Sequence, residues 1–154
     1  GIALLWDTDT SDADSGAGKV FGNNGTFASI SQLYIDDVDS AGTNIEAWIQ
    51  SLDDSTTTSA RGTITLVKTV AQTQIGVFTV TGAAVDGTGY WKIPCSHVFS
   101  NVGSLSDGDA VTAVFTRTGN IGATGSTGST GSQGPQGDAG EATNGFAIAM
   151  SVAL

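Results

Sequence analysis

The stretch Gly119-Asn120-Ile121-Gly122-Ala123-Thr124-Gly125-Ser126-Thr127-Gly128-Ser129-Thr130-Gly131-Ser132-Gln133-Gly134-Pro135-Gln136-Gly137-Asp138-Ala139-Gly140-Glu141-Ala142 places glycine at every third position through eight triplets. The phase ends at Thr143, where the next glycine would fall. A flexible Gly/Ser linker is also rich in glycine, but nothing holds its glycines in register. A collagen-like triple helix does, because only glycine fits where three extended chains meet at the axis. The phase therefore predicts a stalk over 119–142 with Gly119, Gly122, Gly125, Gly128, Gly131, Gly134, Gly137 and Gly140 on that axis, and a homotrimer.

Pro135 is the single proline of the repeat, and Thr124, Thr127, Thr130, Gln133 and Gln136 fill third positions instead. Fully wound, the repeat would span roughly 70 Å. A rod so short and so poor in proline is not expected to trimerise alone, so its flanks are expected to clamp it. On the C-terminal side, Phe146, Ile148, Met150, Val152 and Leu154 alternate with Ala and Ser, the period of a strand. Residues 143–154 are thus expected to be a docking or trimerising strand that pairs with another chain.

Upstream, residues 1–118 read as a β-rich globular domain. The strands expected are 2–6, 19–23, 29–35, 63–68, 76–81, 90–99 and 110–117. Turn clusters such as Gly22-Asn23-Asn24-Gly25, Asp86-Gly87-Thr88-Gly89 and Asp107-Gly108-Asp109 separate them. Short strands at this spacing predict an all-β sandwich or small barrel. One segment departs from the pattern: Ile45, Trp48, Ile49 and Leu52 share a helical face, and Thr43 with Glu46 matches a capping box. A short helix over 44–52 is expected, closing one end of the barrel with Trp48.

The chain of 154 residues carries 15 Asp and Glu against 5 Lys and Arg, a net charge of −10. Such a surface argues against binding a nucleic-acid backbone or an anionic membrane face. No apolar run reaches the about 20 residues that span a bilayer. The opening Gly1-Ile2-Ala3-Leu4-Leu5-Trp6 lacks the basic region of a signal peptide. One cysteine, Cys95, forms no internal disulfide.

Asp7, Asp9, Asp12 and Asp14 are the densest acidic cluster and the candidate calcium ligands. Their spacing fits no EF-hand loop, and a turn that caps its own backbone is the favoured reading. Asp37-Val38-Asp39 is a weaker case of the same kind, since Trp48 stands at the twelfth position. Cys95 and His97 lie two apart on an expected strand and share a face, which gives half a zinc site at most. They are read as packing residues. Tyr90 and Trp91 are adjacent on a strand, so one faces in and the other out, where an aromatic could stack on a sugar or a partner protein. There is no phosphate loop, paired-His motif or Gly-x-Ser-x-Gly, so neither an enzyme nor a cofactor is expected.

The runs Thr10 to Lys19, Leu33-Tyr34-Ile35-Asp36-Asp37 and Trp48-Ile49-Gln50-Ser51-Leu52-Asp53-Asp54-Ser55-Thr56, with Val80 to Trp91 and Ser106 to Gly119, resemble a domain of collagen-repeat virion structural proteins of tailed phages. The resemblance implies a trimeric tail fibre, spike or appendage on the particle surface, joined to other virion proteins through its termini. It also implies that Gly1 closes an upstream repeat. It carries over no active site. Two alternatives stay open: a host-recognition module binding a surface glycan or protein, and a collagen-like protein of a bacterial surface or spore coat.

Overall fold

The structure, a computed structural model, describes residues 1–136. Its eight strands are β1 (Ile2–Trp6), β2 (Lys19–Gly22), β3 (Gln32–Asp36), β4 (Gly62–Lys68), β5 (Ile75–Val80), β6 (Val85–Asp86), β7 (Tyr90–Ser100) and β8 (Ala110–Arg117), with one helix, α1 (Glu46–Gln50). The strand order β3-β2-β1-β8-β4-β5-β7 closes through a β3–β7 pairing. The fold is a seven-stranded barrel, and β6 lies beside β7 outside the ring. β7 closes the ring because it is long: residues 90–94 pair with β3 and 95–100 with β5. All neighbours in the ring run antiparallel except β1 and β2.

Alternation along each strand sends one set of side chains inward. Leu4, Trp6, Leu33, Ile35, Ile64, Leu66, Phe78, Val80, Ile93 and Val111 are all buried in one core. Phe27, held in a short 3-10 turn at Phe27–Ser29, enters the same core. Its ring meets Trp6 edge-on at 5.1 Å and Phe78 at 5.7 Å. Gly76 makes room for it, since a Cβ there would lie 2.8 Å from the Phe27 ring.

That turn shortens the strand expected over 29–35. Pairing starts only at Gln32, because the Asn23 side chain takes up the Ser31 and Gln32 amides just before it.

The helix is also shorter than expected, ending at Gln50 and passing into a 3-10 turn at Ser51–Asp53. The Thr43–Glu46 capping box does not form. Thr43 is drawn into a turn around Asp39, whose Oδ1 accepts its N–H at 2.8 Å, and Asn44 Oδ1 accepts from Glu46 N instead. Ile45, Ile49 and Leu52 are buried, whereas Trp48 is half-buried against them, so the aliphatic residues sit deepest.

The globular unit runs from Gly1 to Gly122 and so includes the first Gly-X-Y triplet; the remainder of the chain forms a second unit. Residues 123–136 are exposed and carry neither helix nor strand.

Candidate functional site

Three places gather the side chains that sequence reading singled out, together with some it passed over. The first is the junction where β8 runs into the repeat. The loop between α1 and β4 reaches across to it. Thr57 Oγ1 donates to the Gly119 carbonyl oxygen at 2.8 Å, and Ser55 Oγ donates to the same oxygen at 3.4 Å. Thr56 N donates to Asn120 Oδ1 at 3.1 Å, and Ile121 N donates to Thr56 Oγ1 at 2.9 Å. Two arginines brace the loop from behind. Arg61 donates to the Asp53 and Ser55 carbonyls, and Arg117 donates to the Asp54 carbonyl at 2.7 Å. The start of the repeat is thus fixed to the barrel by backbone and hydroxyl groups.

The glycines of the repeat differ from those that the barrel needs for its turns and close approaches, though Gly25 and Gly103 of the barrel stand in open space like them. Gly18 and Gly89 have φ of +74° and +90°, and a Cβ on either would strike a neighbour. Gly119, Gly122, Gly125, Gly128, Gly131 and Gly134 have no positive φ, and a Cβ on any of them would meet nothing within 4 Å. Nothing in the described part of the chain requires glycine there. Gly137, Gly140 and the expected assembly strand Phe146, Ile148, Met150, Val152 and Leu154 lie outside the described residues.

The second place is the outer face of β2, β3 and β7, where Phe21, Tyr34 and Tyr90 form a separate aromatic cluster. Tyr34 lies 4.8 Å from Phe21 and 6.0 Å from Tyr90. The loop between β1 and β2 folds over it. Tyr90 Oη donates to Asp12 Oδ1 at 2.6 Å, and Lys92 Nζ donates to Asp12 Oδ2 at 2.7 Å. These bonds, that of Lys92 foremost, hold the Asp12 carboxyl below its usual range, and the same carboxylate pushes the Tyr90 phenol up. Gly87 completes the cover, since a Cβ there would lie 2.5 Å from the Tyr90 ring.

The expectation of opposite faces for Tyr90 and Trp91 holds, but neither offers a free stacking surface. Tyr90 points outward and is only 5% exposed beneath its lid. Trp91 is half-buried against the barrel core.

The remaining aspartates of that lid serve the loop itself. Asp7 Oδ1 accepts Asp9 N, Asp9 Oδ1 accepts Ser11 N, and Asp14 Oδ1 accepts Gly16 N, each two residues on. Asp7 also pairs with Lys19 at 3.1 Å. This is the self-capping turn. Among the described residues no three His, Cys, Asp or Glu side chains cluster as metal ligands.

The third place is β7 itself. Cys95 faces the core, and burial pushes its thiol up to about 12. His97 lies edge-on to Phe78 at 5.9 Å, and its Nε2 is 3.0 Å from Ser100 Oγ. Both are packed among other side chains, in line with the packing role expected for them.

Comparison with protein-family models, with curated proteins and with solved structures finds no match. Sequence reading missed the Ser55–Thr57 clamp. Its only signal is a run of small hydroxyl residues ahead of β4, and such runs are common in loops.

Proposed function

We propose that this protein is a structural subunit of a tailed-phage particle, a homotrimer whose barrel domain carries a collagen-like triple-helical stalk. One observation carries the trimer: glycine recurs in strict phase through eight triplets, and at the six described positions neither backbone conformation nor any described neighbour excludes a side chain. A triple helix would supply that exclusion at every third residue, from the two other chains at the axis. The clamp at Gly119–Ile121 supports the same reading, because a stalk with one proline needs its first triplet held.

The resemblance to collagen-repeat virion proteins, which covers most of residues 1–142, supports placing the trimer on the particle surface. Its role there is mechanical and multivalent. Three linked copies hold a partner firmly even where each single contact is weak.

The test is a pair of substitutions one residue apart. Gly128→Asp should lower the melting temperature of the trimer far more than Ser129→Asp, because only the first faces the axis. Equal effects would refute the triple helix in this segment.

A further inference from the structure

The outer surface of the barrel is not uniform. The sector over β2, β3 and the start of β7 is closed by the Asp12 lid. Among the described residues, no loop is seen to fold over the sector of β8, β4, β5 and the end of β7. Register places Phe99, Val77, Thr65 and Val114 in one outward row across these four strands. Ile75 and Val67 stand in the row beside it. A bulge in β7 opposite Val77 and Phe78 adds Val98 to the same edge. Phe99 is 53% exposed, Val98 57% and Val114 42%.

Charge is missing from this sector. The outward positions of β4, β5 and β8 are Thr63, Thr65, Val67, Ile75, Val77, Thr79, Ala110, Thr112, Val114 and Thr116, none of them ionisable. A chain with net charge −10 has acidic residues enough to cover any exposed face, yet none stands at these positions. Half of these positions are threonine and the rest Val, Ile or Ala, and soluble surfaces seldom leave so broad a β face without charge unless something covers it. The ring is closed, so these strands have no free edge to offer, and a partner must meet their side chains.

The repeat indicates which partner. β8 forms part of this face, and the first glycine of the repeat follows its last residue, Arg117, by two positions. The backbone is then clamped to the barrel at Gly119–Ile121. Three chains that must meet at Gly119 therefore bring three copies of β8 together. We infer that the uncharged outer face of β8, β4, β5 and the end of β7 is the surface by which three copies of the barrel pack around the threefold axis. This rests on the trimer reading above and gives the barrel the clamping role that a proline-poor stalk requires. Because all three copies present the same face to the axis, a single substitution acts three times.

The test uses the full chain in sedimentation equilibrium, with Val114→Asp and Phe99→Asp on the face and Val85→Asp as an exposed control off it. The wild type and Val85→Asp should be trimers. Each face variant should need a protein concentration higher by about tenfold or more to assemble, because a carboxylate would be buried at the axis. Far-UV circular dichroism should show an unchanged barrel. A second measurement does not depend on how a charge is tolerated. In the trimer, Val114→Cys should react with a maleimide about tenfold more slowly than Val85→Cys, since contact with neighbours shields it. A trimeric wild type with unweakened face variants and equal labelling rates would overturn the surface and leave the trimer standing. A wild type monomeric at every concentration would overturn both.

Discussion

Thr57 and Gly119 stand 62 residues apart in the chain, yet the Thr57 hydroxyl donates to the Gly119 carbonyl oxygen at 2.8 Å. This contact and its neighbours make the first triplet part of the barrel. The amide of Ile121 reports on it directly, because it donates to Thr56 Oγ1. Thr56→Ala removes that acceptor, and one such bond contributes about 1 kcal/mol. Hydrogen exchange at the Ile121 amide should therefore quicken about fivefold, while amides inside β4 and β8 keep their protection. An unchanged Ile121 rate would mean that the clamp does not hold in solution.

Phe27 ties a loop into the barrel core. It joins Trp6 and Phe78 in edge-to-face contacts and is fully buried. Phe27→Ala leaves a cavity that Gly76, lacking a side chain, cannot fill. The expected loss is about 3–5 kcal/mol, read from denaturant unfolding followed by tryptophan fluorescence. A loss below about 1 kcal/mol would show that the site collapses around the smaller residue.

Neither of these two features was open to reading from sequence, whereas the strands were. β1 and β8 fall where alternation put them, since both have one face in the core and regular partners. Phe27 gave no such signal: it stands alone in a 3-10 turn, and its burial depends on Trp6 and Phe78, distant in sequence. The helix was found through Ile45, Ile49 and Leu52, but its cap was misassigned, because Asn44 Oδ1 accepts the Glu46 N–H that Thr43 was expected to cap, and Asp39 takes the Thr43 N–H that Glu46 was expected to accept. Alternation also put Tyr90 and Trp91 on opposite faces without saying that the outer one would be covered. The cover is Asp12, 78 residues away, and no local pattern announces a pairing of that range. The clamp at Gly119 was hidden for the same reason.

Cys95 lies in the core with its thiol pushed up to about 12 by burial. In the folded protein at pH 8 it should resist a maleimide, because both access and thiolate are lacking. In denaturant it should react as an ordinary thiol, so labelling reports global opening of the barrel. Rapid labelling of the native protein would show that β7 opens locally around Cys95.

Opposed carboxylates should give the protein a stability profile that single substitutions can separate. The Lys92 and Tyr90 bonds hold the Asp12 carboxyl below its ordinary 3.8. Asp12 thus adds stability above that value, which is lost as pH falls through its lowered folded value. Asp37 behaves oppositely. Burial, then the charges of Glu46, Asp36 and Asp86, raise it above 3.8, and its Oδ1 is buried without a hydrogen-bond partner. A raised carboxyl binds its proton more readily in the folded state, so its ionisation costs stability as pH climbs from 3.8 through the raised value. Asp12→Asn should therefore destabilise at pH 7, with the difference from wild type closing once pH falls below 3.8 and through the lowered value. Asp37→Asn should stabilise at pH 7, and its advantage should fade as pH falls back toward 3.8. Chemical denaturation of the two variants across pH 3 to 7 separates them. If Asp12→Asn left stability at pH 7 unchanged or raised it, the Asp12 lid would not be contributing through its charge, and if Asp37→Asn failed to stabilise, the burial of Asp37 would carry no cost.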